Sequence, residues 1–297
     1  MTYDAIVVGG SYAGLSAALQ LARARRRVLV VDAGVRRNRF ASATHGFLTQ
    51  DGSDPGAVTA EGRAQLMEYD TVDWLSGTAE SAAKAGGGFV VSVQGREPLL
   101  GRCLVLATGV RDQLPDVPGL AERWGRRVFH CPYCHGYELQ QGRIGVLATS
   151  PMSVHQALML PDWGPTTFLL NGVLEPDREQ AEALKARGVT IEPGRIDRLE
   201  GEGLDVVMHD GRILPFQGLF VAARSVLASP LSGQLGCAVE EGPLGTCIKT
   251  DPIKATTVAG VFACGDAARM AGNVALAVGD GAIAGAAAHR FLMGMAF

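Results

Sequence analysis

The stretch YDAIVVGGSYAGLSAALQLARARRRVLVVDAG, residues 3–34, constrains the fold more than any other part of the chain. Ile6 to Val8 form a short buried-type run, Leu15, Ala18, Leu19 and Ala22 recur at helical spacing, and Val28 to Val31 resume a strand pattern. The reading is a βαβ unit with a glycine turn at Gly9, Gly10 and Gly14. Such a turn lets the backbone approach a pyrophosphate and aims a helix N-terminus at it. Ser11 occupies the place of the second fingerprint glycine, where its hydroxyl can donate a hydrogen bond, and Ala13 completes the candidate binding turn. Asp32 closes the second strand 18 residues after Gly14, where a carboxylate can hydrogen-bond a ribose 2′-hydroxyl. Taken alone, one fingerprint also fits an ordinary Gly-rich βαβ turn.

Two further stretches change that balance. RCLVLATGVRDQLPDVPG carries a strand, Leu104 to Leu106, running into Thr108 and Gly109. TTVAGVFACGDAARMAGNVALAVGDGAIAGAAAH carries another, Val261 to Ala263, then Gly265 and Asp266 and a helix rich in Ala and Gly. With the first stretch they resemble the three fingerprints of flavoproteins with two dinucleotide folds. The resemblance implies FAD as cofactor, with the Thr108–Gly109 turn near it and Asp266 ordering its ribityl and phosphate region. The helix start near Gly272 to Val274 would point its positive end at the flavin and favour the anionic reduced form. Gly279, Gly281 and Gly285 each cost about 1 kcal/mol in a helix interior relative to Ala. Packing against a flat cofactor or against a neighbouring helix would offset that cost.

The expected fold is therefore α/β, with two dinucleotide-binding, Rossmann-like domains, the FAD domain being interrupted by an inserted one. The Pro-rich link Leu114 to Gly119 marks the departure and EEGPLGTC the return, giving residues 1–113 and 245–297 to the FAD domain and 114–244 to the insert. The insert itself reads as βαβ: GRIGVLATSPMSVHQALML is strand, turn and helix, TTFLLNG a second strand, and EQAEALKARGVTIEP a second helix and strand. With 297 residues and 47% apolar side chains, both domains can fill a core. A net charge of −3 supplies no basic field of the kind that binds nucleic acid. The N-terminus shows no export signal and no apolar run reaches the roughly 20 residues of a membrane span, so a cytoplasmic protein without a membrane segment is expected.

HCPYCHGYE, residues 130–138, opens the insert. Cys131 and Cys134 followed by His135 fit haem attachment, a metal site or a redox dithiol. Haem attachment belongs to exported proteins, and a structural zinc needs four ligands, usually from two such pairs, of which this is the only one. In a reducing compartment a dithiol that cycles with its disulfide is the favoured reading. Thiol exchange requires a thiolate, hence a base nearby. His135 and His130 both qualify, since an unperturbed imidazole titrates near 6.5. Glu138 reads as an ordinary polar residue, and Cys103, Cys237, Cys247 and Cys264 as buried small side chains.

Domain order, dithiol position and length resemble low-molecular-weight thioredoxin reductases over nearly the whole chain. Within that group, CPYCHGYE and RNRFASATHGFLTQDG look most like flavin-dependent dithiol oxidases that close disulfides in natural products such as gliotoxin and holomycin. The resemblance implies that Cys134 faces the flavin and Cys131 the substrate, that Asn38 and His45 lie near the flavin, and that the protein is a homodimer. In reductases a Gly-x-Gly-x-x-Ala turn of the insert holds NADPH. Here that turn reads Ala148, Thr149, Ser150, Pro151, Met152, Ser153, and Asn171 and Glu175 stand where clustered arginines are expected. The expected activity is oxidation of a small-molecule dithiol through Cys131 and Cys134, with FAD and O2 as acceptors. A reductase fed by ferredoxin and serving thioredoxin, or a redox-sensing FAD module, also fits an insert without nicotinamide. The run Arg36 to Arg39, following Asp32, could reach the adenosine phosphates or the substrate mouth.

Overall fold

The computed structural model describes residues 2–295. The chain divides into two compact units. The first comprises the residues up to Arg39, Phe47–Arg111 and the chain from Ser225; the second comprises Phe40–Gly46 and Asp112–Arg224.

The first unit is organised by a seven-stranded sheet, with strands in the order Val72–Ser76, Val28–Asp32, Thr2–Val8, Leu99–Leu106, Gly88–Val93 and Ala79–Ala85, and with Val261–Ala263 also paired to Leu99–Leu106. The three fingerprint strands lie together in parallel: Ile6 is opposite Leu29 on one side and Leu104 on the other, and Leu104 is opposite Val261. Strands buried on both faces read as continuous apolar runs, which is why Ala5–Val8 and Cys103–Leu106 carry no polar residue. The glycine turn, the Thr108–Gly109 turn and the Gly265–Asp266 turn all follow the carboxyl ends of these strands, where open α/β sheets bind ligands.

Two helices, Tyr12–Arg23 and Val274–Leu292, pack against each other and the sheet. Their shared core is small: Ala17, Ala18 and Leu21 meet Ala284, Ala287 and Ala288. A Cβ at Gly281 would run into the Ala13 carbonyl oxygen, and one at Gly285 into that of Ala17. Of the two explanations for glycine in this helix, packing on a neighbouring helix accounts for these two positions. Gly279 is different, since nothing lies within 4 Å of a Cβ there.

The second unit has a five-stranded parallel sheet in the order Thr190–Glu192, Thr166–Leu169, Ile144–Leu147, Gly218–Val221 and Val128–Phe129. Helices Met152–Met159 and Arg178–Ala186 supply the crossovers, the latter started by a capping box between Asp177 and Gln180. A three-stranded antiparallel sheet, Ile196–Glu200, Leu204–Met208 and Ile213–Phe216, adds its own apolar face.

The inserted unit ends at Arg224, earlier than the expected 244, because Val239–Gly242 and Gly245–Ile248 form a four-stranded sheet with Arg224–Leu227 and Val110–Gln113. EEGPLGTC is thus the turn of a hairpin, with Glu241 opposite Thr246, and not a link between units. The segment Phe40–Gly46, expected in the FAD domain, belongs to the second unit, with Phe40 packed so closely on Gly125 that a Cβ there would lie 2.7 Å from the Phe40 Cβ. No described helix is long and apolar enough to cross a membrane.

Candidate active site

In the first unit the nucleotide-binding face is assembled by its own backbone. Gly9 has φ +106°, and a Cβ there would strike the Ala107 carbonyl, so only glycine makes this turn after the first strand. Asp32 Oδ1 accepts the Gly10 N–H at 2.9 Å, so this carboxylate also holds the turn's geometry. Gly14 is equally constrained, because a Cβ there would meet the Gly9 carbonyl oxygen. Ser11 is the N-cap of helix Tyr12–Arg23 and makes no side-chain cap, which leaves the first-turn N–H groups aimed outward for an anion.

Other predicted residues gather on the same unit. Asn38 Nδ2 donates to the Tyr12 hydroxyl at 3.1 Å, and Arg37 Nη1 donates to Asp266 Oδ2 at 2.8 Å. Arg36 Nε is buried without an acceptor, the kind of donor a phosphate oxygen satisfies. Gly109 takes φ +66° and Gly265 φ +66°, both left-handed turns after a strand. Val274 starts the last helix, and Asn273 Oδ1 accepts the Leu276 N–H at 2.8 Å, capping part of that N-terminus. An uncapped anion-binding helix start, an orphaned guanidinium donor and a carboxylate beside Gly265 fit a dinucleotide's pyrophosphate and ribityl region.

In the second unit Cys131 and Cys134 are joined in a disulfide, with Cα atoms 5.3 Å apart. Pro132 at the first position of the short helix Pro132–His135 presets the turn, and the Cys134 N–H donates to the Cys131 carbonyl at 3.2 Å. His135 is stacked on Phe129, and its pKa is pushed down to about 4 by burial first, then by the nearby His130 and His45. The expectation of an imidazole titrating near 6.5 is corrected accordingly: at neutral pH His135 is an uncharged ring, and its lowered pKa makes it a weaker base than a free imidazole. The His130 carbonyl accepts a hydrogen bond from Gln156 Nε2 at 2.8 Å, which ties the dithiol segment to helix Met152–Met159.

His45, expected by resemblance among the flavin contacts, lies in this same unit, its Nε2 3.4 Å from Glu138 Oε1. Glu138, read from sequence as an ordinary polar residue, therefore joins the two stretches that distinguish the chain, RNRFASATHGFLTQDG and CPYCHGYE. Phe129 and Gln156 escaped sequence reading altogether, since an apolar strand residue and a helix glutamine carry no chemical signature. Cys103 and Cys264 are buried with thiol pKa values raised to about 12, and burial raises those of Cys237 and Cys247. As thiols rather than thiolates they are poor redox partners. Among the described residues no group of three or more His, Cys, Asp or Glu could hold a metal ion.

The second dinucleotide turn contrasts with the first. Ser153 Oγ, wholly buried, accepts the Thr149 N–H at 3.0 Å and the Ser150 N–H at 3.4 Å, and Thr149 Oγ1 donates to the Ala222 carbonyl at 3.1 Å. Two backbone donors of this turn are thus satisfied within it.

Residues 3–281 match the family model described as pyridine nucleotide-disulphide oxidoreductase. The chain belongs to that family. It is similar to thioredoxin reductase sirT of Leptosphaeria maculans, 33% identical with 98% of this chain and 95% of that protein covered. Thioredoxin reductase tcpT of Claviceps purpurea is 34% identical over 98% of this chain and 94% of its own. A crystal structure of an oxidoreductase from Agrobacterium tumefaciens superposes with a TM-score of 0.97 at 56% identity, all of both chains being covered. The protein is thus a thioredoxin reductase-like oxidoreductase with Rossmann-like sheets, and FAD is its cofactor. The residues that would hold FAD are those of the glycine turn, Asp32, the arginines after it, Thr108, Gly109 and the Gly265–Asp266 turn.

Proposed function

We propose that this flavoprotein oxidises a small-molecule dithiol to its disulfide through Cys131 and Cys134, using O2 as final acceptor. The observation that carries this reading is the Ser153 side chain closing the second dinucleotide turn. With Pro151 at the N-cap of helix Met152–Met159 and no glycine from Ala148 to Ser153, that turn offers a nicotinamide dinucleotide fewer donors and no glycine for close backbone approach. Electrons then enter from a thiol.

A substrate thiolate attacks one sulfur of the Cys131–Cys134 disulfide, forming a mixed disulfide and releasing the other cysteine as thiolate. The second substrate thiol, deprotonated by a neighbouring imidazole, displaces the bound cysteine, so the substrate leaves as a disulfide and the pair is left reduced. FAD, held by the Gly9–Gly14 turn and the Gly265–Asp266 turn, would supply the two-electron acceptor for the reduced pair, with O2 as the final acceptor and hydrogen peroxide as the product. Neutral His135, its ring stacked on Phe129, is the imidazole that takes the substrate thiol proton in this reading. By resemblance the protein works as a homodimer. Exposed Leu276 and Ile283, one heptad apart on the last helix, are suited to such a contact.

The test is anaerobic mixing of the flavin-loaded protein with dithiothreitol, NADPH or reduced ferredoxin, each alone, followed by air. Bleaching by the dithiol and recovery in air are expected. Rapid bleaching by micromolar NADPH would overturn the proposal, and bleaching by ferredoxin alone would favour the reductase that serves thioredoxin.

A further inference from the structure

From Val274 to Ala288 the last helix has a single ionisable residue, Asp280, and that residue is only 2% exposed. A carboxylate among alanines and glycines is costly to bury unless it is fully paired. Asp280 is paired twice. Arg269 grips it with two parallel bonds, Nε to Oδ2 at 3.0 Å and Nη2 to Oδ1 at 2.6 Å, and Lys254 Nζ approaches Oδ1 at 3.0 Å. Burial alone would raise its pKa, and these partners outweigh that and hold it below the usual carboxylate value.

Both cations sit at fixed points of the first unit. Lys254 is held in the left-handed region at φ +69°; its N–H donates to the Asp251 carbonyl and its own carbonyl accepts the Ala263 N–H, both at 3.0 Å. Arg269 directly follows the turn Gly265–Ala268, whose Asp266 is bound by Arg37. The residue after Asp280 is Gly281, pressed on the Ala13 carbonyl, and a Cβ on Gly265 would lie 2.8 Å from the Ala13 Cβ. The same few residues therefore join the Gly265–Asp266 turn to the Gly9–Gly14 turn.

We propose that Asp280 is a positioning residue for FAD: through Arg269 and Lys254 it holds the Asp266 turn in register with the glycine turn of the first helix. A leucine would fill the same space without charged groups to desolvate, so the ion triad contributes direction more than stability.

FAD-stripped protein titrated with FAD, followed by fluorescence, tests the role, with melting of the FAD-free chain measured in parallel. Asp280→Asn is expected to raise the FAD dissociation constant by about tenfold or more, and Arg269→Gln by a similar factor. The double substitution should be no worse than the weaker-binding single one, because one device is lost in each, and Asp280→Glu should recover part of the affinity. FAD binding within twofold of wild type in Asp280→Asn, with only the melting temperature lowered, would overturn the proposal. If Asp280→Asn does not fold, Lys254→Met and Arg269→Gln decide it, since unchanged affinity in both has the same meaning. A wild-type chain that takes up no FAD would sink the cofactor assignment along with this role.

Discussion

The imidazole of His135 lies flat on the ring of Phe129, centroids 4.4 Å apart and planes inclined by 22°. Stacking of this kind shields one face of the histidine from water, and the charged form loses most from the shielding.

The pH dependence follows from that. With its pKa near 4, His135 remains uncharged through the range in which an exposed histidine titrates. Flavin reduction by a dithiol should show no acid limb near pH 6.5 assignable to this ring. His45→Ala and His130→Ala should each raise the ring's pKa, read from its proton NMR titration, because both neighbours oppose its protonation.

Stability responds with a definite sign. Below about pH 6.5 the unfolded chain binds a proton on His135 that the folded chain refuses, so folding weakens as pH falls from 6.5 toward 4. The wild type should lose more stability than His135→Gln over that interval, by about 3 kcal/mol at most. Urea unfolding of both proteins at pH 7.5 and 4.5 measures the difference, and equal losses would refute it.

For the proton itself, His135→Ala should slow the reductive half-reaction by on the order of 10² to 10⁴ while leaving reoxidation by O2 nearly unchanged. His130→Ala is the control. Should it cause the larger loss and His135→Ala almost none, the base is His130.

Ser153 offers a prediction about folding and one about selectivity. Ser153→Ala removes the acceptor of two backbone N–H groups in a half-buried turn and should cost about 1 kcal/mol by chemical denaturation. It should not restore bleaching by NADPH, because Pro151 and the side chains of the turn remain. Restoration would show that the serine alone closes the site.

Gly281→Ala and Gly285→Ala should each destabilise by about 1 to 3 kcal/mol in thermal melts, although alanine is the better helix former by about 1 kcal/mol. The Ala13 and Ala17 carbonyls leave no place for a methyl group.

Much of this architecture is legible in the sequence because it rests on periodicity. Buried parallel strands write themselves as unbroken apolar runs, and Ile6, Leu104 and Val261 lie in neighbouring strands as those runs require. The missing glycines between Ala148 and Ser153 are legible too, whereas the serine hydroxyl occupying the turn is not, since a bond between side chain and backbone leaves no pattern. The hairpin at Glu241 to Thr246 reads as a link because Gly and Pro mark turns inside a sheet as readily as they mark boundaries. Asp280 has a usable signal, a lone charge in a run of alanine and glycine. The pairing of His45 with Glu138 has none, because only the folded chain brings the two together.

The segment Phe40–Gly46 belongs to the unit that holds the disulfide, yet it is made long before the rest of that unit. Between Gly46 and Asp112 the ribosome adds 65 residues of the other unit, a delay of several seconds at roughly 5 to 20 residues per second. During that interval Gly125, on which Phe40 packs, and Glu138, beside His45, have not yet been made. Excising residues 112–224 would leave out part of the unit that holds the disulfide, and during synthesis residues 40–46 must wait for that later stretch before the unit can assemble.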